Sequence, residues 1–190
     1  IDTGYEENFL ELKRDLENRN LNITDLVVSH YHPDHVGGIK YLSNINIYGS
    51  DYAEKTIDVF KNRIDHILPT IMIKDELSIK YGSHIIKLEK NVGHSIDGLL
   101  VTIDNKYLFV ADDMVYSHNG RALIPFCADG SPENHLLSIN KIKSSYHGKT
   151  IIPTHGEMIS DQEYIKEDLE NRITYLNYII RHKDSSFEDF

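Results

Sequence analysis

The chain has 190 residues, 40% hydrophobic and 26% charged, a composition that suits one sizeable folded domain and not a disordered segment. Thirty acidic residues against 20 basic ones give a formal net charge of −10, which argues against the basic footprint of a nucleic-acid binder. The single cysteine, Cys127, excludes an intrachain disulfide and any multi-cysteine zinc finger, and no apolar run reaches the roughly 20 residues that span a bilayer.

The sequence opens on "IDTG" without an initiator methionine, so it reads as starting partway through a domain, with an upstream signal peptide left open. In 6–20, Phe9, Leu12 and Leu16 fall at helical spacing opposite a charged face. "ITDLVVSH" reads as a buried strand ending at Ser29, followed by a histidine-rich turn, a short helix start in "VGGIKYLSN" and a strand in "INIYGS". Residues 51–66 read as helix. From 71 to 110 the pattern is mostly strand, with turns at Tyr81-Gly82 and Asp104-Asn105. "SPENHLLSINKIKSS" is a helix with Ser131 as N-cap, Pro132 in the first turn and Leu136, Ile139 and Ile142 as its apolar stripe. A last strand in "KTIIPTHG" and an amphipathic helix over 161–182 follow. The expectation is one α/β domain over 1–183 and a frayed tail over 184–190, in a reducing, cytoplasmic setting.

The stretch "SHYHPDHVGG" crowds His30, His32, Asp34 and His35 into six positions. At an extended strand end, residues two apart point the same way, so His30 and His32 project together as a ligand pair. Pro33 breaks the strand and brings Asp34 and His35 to the same pocket from another direction, while Gly37-Gly38 permits close backbone passage. Imidazole and carboxylate are ordinary ligands for zinc, or for iron and manganese when oxygen contributes. Four such groups are more than one tetrahedral ion would take from a single loop, so two ions are the economical solution. Further candidate ligands sit at later strand ends: His94 in "NVGHSIDG", Asp112 in "LFVADDMV" and His155 in "IIPTHGE".

In this order these residues resemble the metallo-β-lactamase superfamily, whose H-x-H-x-D-H motif matches residues 30–35 without a substitution. Asp2 matches the acid of the family's "DTG" segment. The resemblance implies an αβ/βα sandwich of two mixed sheets between helices, with the hairpin that normally precedes "DTG" missing. It assigns one metal to His30, His32 and His94, and a second to Asp34, His35 and His155, with Asp112 bridging and Asp2 orienting a ligand from behind. Asp113 is a rival for the bridge, because the family usually shows glycine-aspartate where this chain has Ala111, Asp112 and Asp113.

The implied activity is hydrolysis by a hydroxide held between two divalent ions, most simply zinc, with Asp34 taking the attacking proton and passing it to the leaving group. His32 stands where diiron flavoproteins of the fold carry glutamate, which disfavours redox chemistry. The charge disfavours the nuclease branch. What remains is a small ester, lactone or thioester as substrate, with no nucleic-acid or membrane partner. A phosphodiesterase, a β-lactam hydrolase and a non-catalytic binder are the alternatives. Tyr116 is a candidate to help an oxyanion, as a tyrosine near this position does in the lactonases, although the spacing is one residue longer. Substrate contacts are expected from 51–70 and from "YSHNGRALIPFCADG", with His118, Arg121 and Phe126 lining a pocket.

Overall fold

The computed structural model describes residues 1–124 and 129–182. Phe126, Cys127 and the tail expected to fray lie outside the described residues. Two sheets form the centre. The first has the order β1 (Asp25–Val27), β2 (Asn46–Ser50), β3 (Ile71–Ile73), with both pairings parallel. The second runs β10 (Thr150–Pro153), β7 (Tyr107–Ala111), β6 (Leu99–Ile103), β5 (His84–Lys90), β4 (Glu76–Tyr81), antiparallel except where β10 joins β7 in parallel. A two-residue-per-strand hairpin, β8 (Val115–Tyr116) and β9 (Ala122–Leu123), stands apart.

The sandwich expected from the sequence is present, with one difference. Among the described strands the first sheet is purely parallel, because each of its connections crosses over through helical turns. Between β1 and β2 lie α2 (Pro33–Val36) and a 3-10 turn at Ile39–Tyr41, and between β2 and β3 lies α3 (Ala53–Phe60).

Period-two alternation sorts the core into three layers. Val27, Tyr48 and Ile73 meet Leu88, Leu99, Val101, Phe109 and Ala111 between the sheets. Leu26, Val28 and Ile47 face outward onto Val36, Ile39, Ala53 and Ile57. On the opposite side Leu100, Leu108 and Val110 face α4 (Pro132–Ser145) and α5 (Gln162–Arg181) through Ile139, Ile142, Ile165 and Leu169. The helix expected over 131–145 starts as read: Ser131 Oγ accepts from Asn134 N at 3.1 Å, a cap that contributes about 1 kcal/mol.

Other boundaries moved. The helix read over 51–66 is only α3, because the chain turns again after Phe60, where Arg63 N donates to Phe60 O. In α1 (Glu6–Asn18), Phe9 is buried but Leu12 is 46% exposed, so the expected apolar stripe narrows to one anchor. That anchor explains Gly38, where a Cβ would stand 2.1 Å from the Phe9 ring. The glycine pair therefore seats α1 against the histidine-rich loop.

Candidate metal centre

The histidine loop leaves β1 and remains tied to both sheets. Val28 N donates to Tyr48 O of β2, and Ser29 O accepts from Leu99 N of β6. His32 is the N-cap residue of α2 and Pro33 its first residue, so Asp34 and His35 project from the first turn of a helix. The other candidates arrive from the second sheet: His94 from the β5–β6 loop, Asp112 just past β7 and His155 just past β10.

These seven residues form two groups among the described residues. His30, His32 and His94 make one; Asp34, His35, Asp112 and His155 make the other, with the potential ligand atoms of each group within 4.8 Å of one another. Asp112 lies between them. Its Oδ1 is 3.5 Å from His35 Nε2, and its Oδ2 is 3.5 Å from His155 Nε2 and 3.8 Å from His94 Nε2. His32 Nδ1 and His94 Nε2 face each other at 3.1 Å, and Asp34 Oδ2 sits 3.1 Å from His155 Nε2.

The fit to cations rests on atoms with nowhere else to bond. His30 Nε2, His35 Nε2 and Asp112 Oδ1 are buried without a hydrogen-bond partner, a cost that a bound ion removes. The electrostatics agree. Burial, reinforced by His35 and His32, holds His30 well below the ordinary histidine range. Burial and His32 push His94 down to about 4, which keeps its lone pair free to ligate. In the second group carboxylates dominate. Burial opposes the charge on His35, yet Asp2 and Asp112 raise its pKa to about 10. Hydrogen bonding to Asp112 and Asp34 raises His155 to about 9. Burial would raise Asp112, but His155 and His35 draw its carboxyl far below the usual range. The group around Asp112 attracts positive charge, and nitrogen and oxygen donors together suit zinc, manganese or iron.

The supports behind these groups were partly legible. Asp2, expected behind the ligands, accepts from Ser29 N and Ser29 Oγ at 2.7 Å and contacts His35 Nδ1 at 2.9 Å, turning Nε2 inward. Asp129 was not foreseen. Its Oδ1 lies 3.0 Å from His32 Nε2, which presents Nδ1 to the centre. Its Oδ2 accepts from Ser95 Oγ at 2.8 Å. Thr56 Oγ1 lies 2.9 Å from one oxygen each of Asp129 and Asp97. Asp97 is fully buried, and burial pushes its pKa up to about 6.

The adjacent aspartates occupy different places. Asp113 points away from the ligand groups, taking His94 N at 2.9 Å and Asn91 Nδ2 at 2.6 Å, and burial raises its pKa. Ala111 has φ +46°, a left-handed backbone that explains why glycine is usual there. The hydroxyl of Tyr116, expected as a candidate for an oxyanion role, is engaged by another partner. Its side chain is buried, and its hydroxyl donates to Asp168 at 2.6 Å, beside the Asp168–Arg172 pair of α5.

A cleft of about 420 Å³ opens onto the ligands, lined by His32, Asp34, His94 and Asp112 below and by Phe60, Arg63, Val115, Leu123 and Ile124 around. Residues 51–70, where substrate contacts are expected, supply Phe60 and Arg63 to this lining. Arg121 is absent from this lining, and His118 lines a neighbouring cavity of about 620 Å³ beside His155.

The metallo-beta-lactamase superfamily model matches residues 1–155. The chain belongs to the metallo-beta-lactamase superfamily. A hydroxyacylglutathione hydrolase of Haemophilus ducreyi is 21% identical over 82% of this chain and 61% of its own length. A beta-lactamase-like protein 2 homolog of Caenorhabditis elegans is 26% identical over 95% of this chain and 60% of its own. The chain thus spans about three-fifths of the length of these curated relatives. A metallo-beta-lactamase from Pontibacter korlensis superposes with a TM-score of 0.73 at 19% identity, covering 93% of this chain and 80% of that one. Superfamily members share this sandwich, so the likeness speaks for the fold. Among the described residues no helix is long and apolar enough to cross a membrane.

Proposed function

We propose that this chain is a hydrolase that uses two divalent metal ions, zinc first, to cleave a small ester, lactone or thioester. One observation carries the reading: two ligand groups meet at Asp112, whose Oδ1 is buried without a hydrogen-bond partner. When bound there, two such ions lower the pKa of water toward about 7 and polarise the carbonyl to be attacked. His30, His32 and His94 would hold one ion, and Asp34, His35 and His155 the other, with Asp112 shared.

The chain's own residues supply the rest. Asp2 and Asp129 fix His35 and His32 in the rotamers that ligation needs. Asp34 is less buried than the other acid of its group and borders the cleft, so it can take a proton from the attacking water and return it to the leaving group. Phe60, Val115, Leu123 and Ile124 give the cleft apolar walls that hold an acyl group and keep bulk water from the carbonyl. Tyr116 has no part in this scheme, because its hydroxyl is committed to Asp168.

A thioester is favoured within that class by the hydroxyacylglutathione hydrolase relative, whose name describes cleavage of an acyl thioester. The test is hydrolysis by protein stripped with a chelator and then reloaded with zinc, manganese or iron. Small acyl thioesters and lactones should be cleaved only after reloading, with kcat/KM above that for bis(p-nitrophenyl) phosphate. Preference for the phosphodiester would move the chain to the phosphodiesterase alternative. Full metal loading without turnover of any of these would make it a binding protein.

A further inference from the structure

Among the described residues, the cleft at the candidate ligands has one lysine or arginine in its lining, Arg63; the rest are the candidate ligands with Pro33, Phe60, Val115, Leu123 and Ile124. Arg63 is exposed, and among the described residues its guanidinium makes no hydrogen bond or ion pair. That is notable in a chain with ten more acidic than basic residues, where surface carboxylates are plentiful partners. Its backbone is held in place: Arg63 N donates to Phe60 O at 2.7 Å and Ile64 N to the same oxygen at 3.2 Å. The next side chain, Ile64, packs against the core under the first sheet. Phe60 in turn lies edge-on to His32, with ring centroids 4.8 Å apart. Arg63 is therefore displayed from a packed turn directly connected to the metal loop.

We propose that Arg63 is a specificity residue that binds a carboxylate carried by the substrate at the end of its acyl chain opposite the scissile carbonyl. This rests on the hydrolase reading above and narrows its substrate to a dicarboxylic monothioester or monoester. Apart from Arg63 and the candidate ligands, the lining residues Pro33, Phe60, Val115, Leu123 and Ile124 are apolar, which suits a short methylene chain. A guanidinium takes a carboxylate through two parallel hydrogen bonds, which fixes orientation as well as adding affinity. The net negative charge of the chain would otherwise repel such a substrate, and Arg63 offers local compensation where the acyl tail ends.

The test compares the phenyl thioester of glutaric acid with the same thioester carrying a methyl ester in place of the free carboxylate. With zinc-loaded wild-type protein, kcat/KM for the acid should exceed that for the methyl ester by about tenfold, the lower end for a charge-assisted contact at a partly exposed site. In Arg63→Gln that ratio should fall to near one, in Arg63→Lys it should stay between the two, and in Arg63→Glu it should drop below one. A ratio near one in the wild type, or one that Arg63→Gln leaves unchanged, overturns the assignment. Calorimetry with glutarate and monomethyl glutarate on the zinc-loaded protein separates this from the hydrolase reading. If neither thioester is cleaved but glutarate binds more tightly and Arg63→Gln abolishes the difference, the subsite stands and hydrolysis does not. If turnover occurs and Arg63→Gln alters neither ratio nor binding, the reverse holds.

Discussion

Replacing Asp112 and Asp113 one at a time by asparagine separates two carboxylates that sequence alone leaves as rivals. Asp112 stands within 3.5 to 3.8 Å of nitrogens from His35, His155 and His94, so it belongs to both ligand groups at once. Asparagine keeps its size but removes the charge and one oxygen donor. Loss of a supporting group behind a ligand already lowers metal affinity by about 10- to 100-fold, and loss of a shared ligand should cost more. Asp112→Asn is therefore expected to retain at most one ion through gel filtration and to lose nearly all turnover. Asp113→Asn should behave oppositely. Its two oxygens accept from His94 N and Asn91 Nδ2, so an amide nitrogen placed there must face one of these donors. A buried donor left without an acceptor costs about 1–3 kcal/mol. At about 2–4 °C per kcal/mol for a domain of this size, the melting temperature should fall by several degrees. Metal content should stay near that of the wild type. Elemental analysis and thermal melting on the same preparations read both effects. If Asp113→Asn lost an ion while Asp112→Asn kept two, the bridge would be one residue later and the reasoning above would fail.

Three further outcomes follow from the geometry. Tyr116→Phe removes the hydroxyl bound to Asp168 beside buried Arg172, so it should lower stability by about 1–2 kcal/mol while leaving metal content and kcat near wild type; a large loss of kcat in a stably folded variant would restore the oxyanion role. Asp129→Ala frees His32 Nε2 and should weaken binding of one ion by about 10- to 100-fold, read by competition with a chromophoric chelator. His35 and His155 have pKa values raised to about 10 and about 9 in the metal-free protein, so the stability they contribute is complete below about pH 6.5 and is lost as pH rises through 9 to 10. Both are protonated at pH 7, and metal uptake there should release about two protons per chain; calorimetry in buffers of different ionisation enthalpy measures this, and a release near zero would show that these imidazoles do not ligate.

Much of the centre was legible because its densest part is local. Residues 30–35 place four candidate ligands in one loop, where strand-end geometry and a proline are enough to aim them. The strands were legible as apolar runs, but their sorting into layers shows in the structure, where neighbours such as Leu26 and Val27, or Leu108 and Phe109, separate onto opposite faces of their sheets. What escaped was carried by distance along the chain. Asp129 reaches His32 across 97 positions, and no local pattern in the sequence distinguishes it from the chain's other aspartates. Arg121 was the residue expected to meet an anion, whereas the turn after Phe60 places Arg63, which no motif singles out, on the cleft. Tyr116 shows the same effect: its spacing from Asp112, one residue longer than in the lactonases, left an oxyanion role open, while the partner of its hydroxyl on α5 lies 52 residues away. The β8–β9 hairpin was invisible because strands of two residues are too short to show alternation.

The central claim is that these seven side chains hold two ions, and the most direct measurement is metal stoichiometry. Protein saturated with zinc, freed of loosely held metal by gel filtration and analysed for zinc against sulfur should give about two ions per chain. A ratio that stays at one or below at every loading would contradict the account.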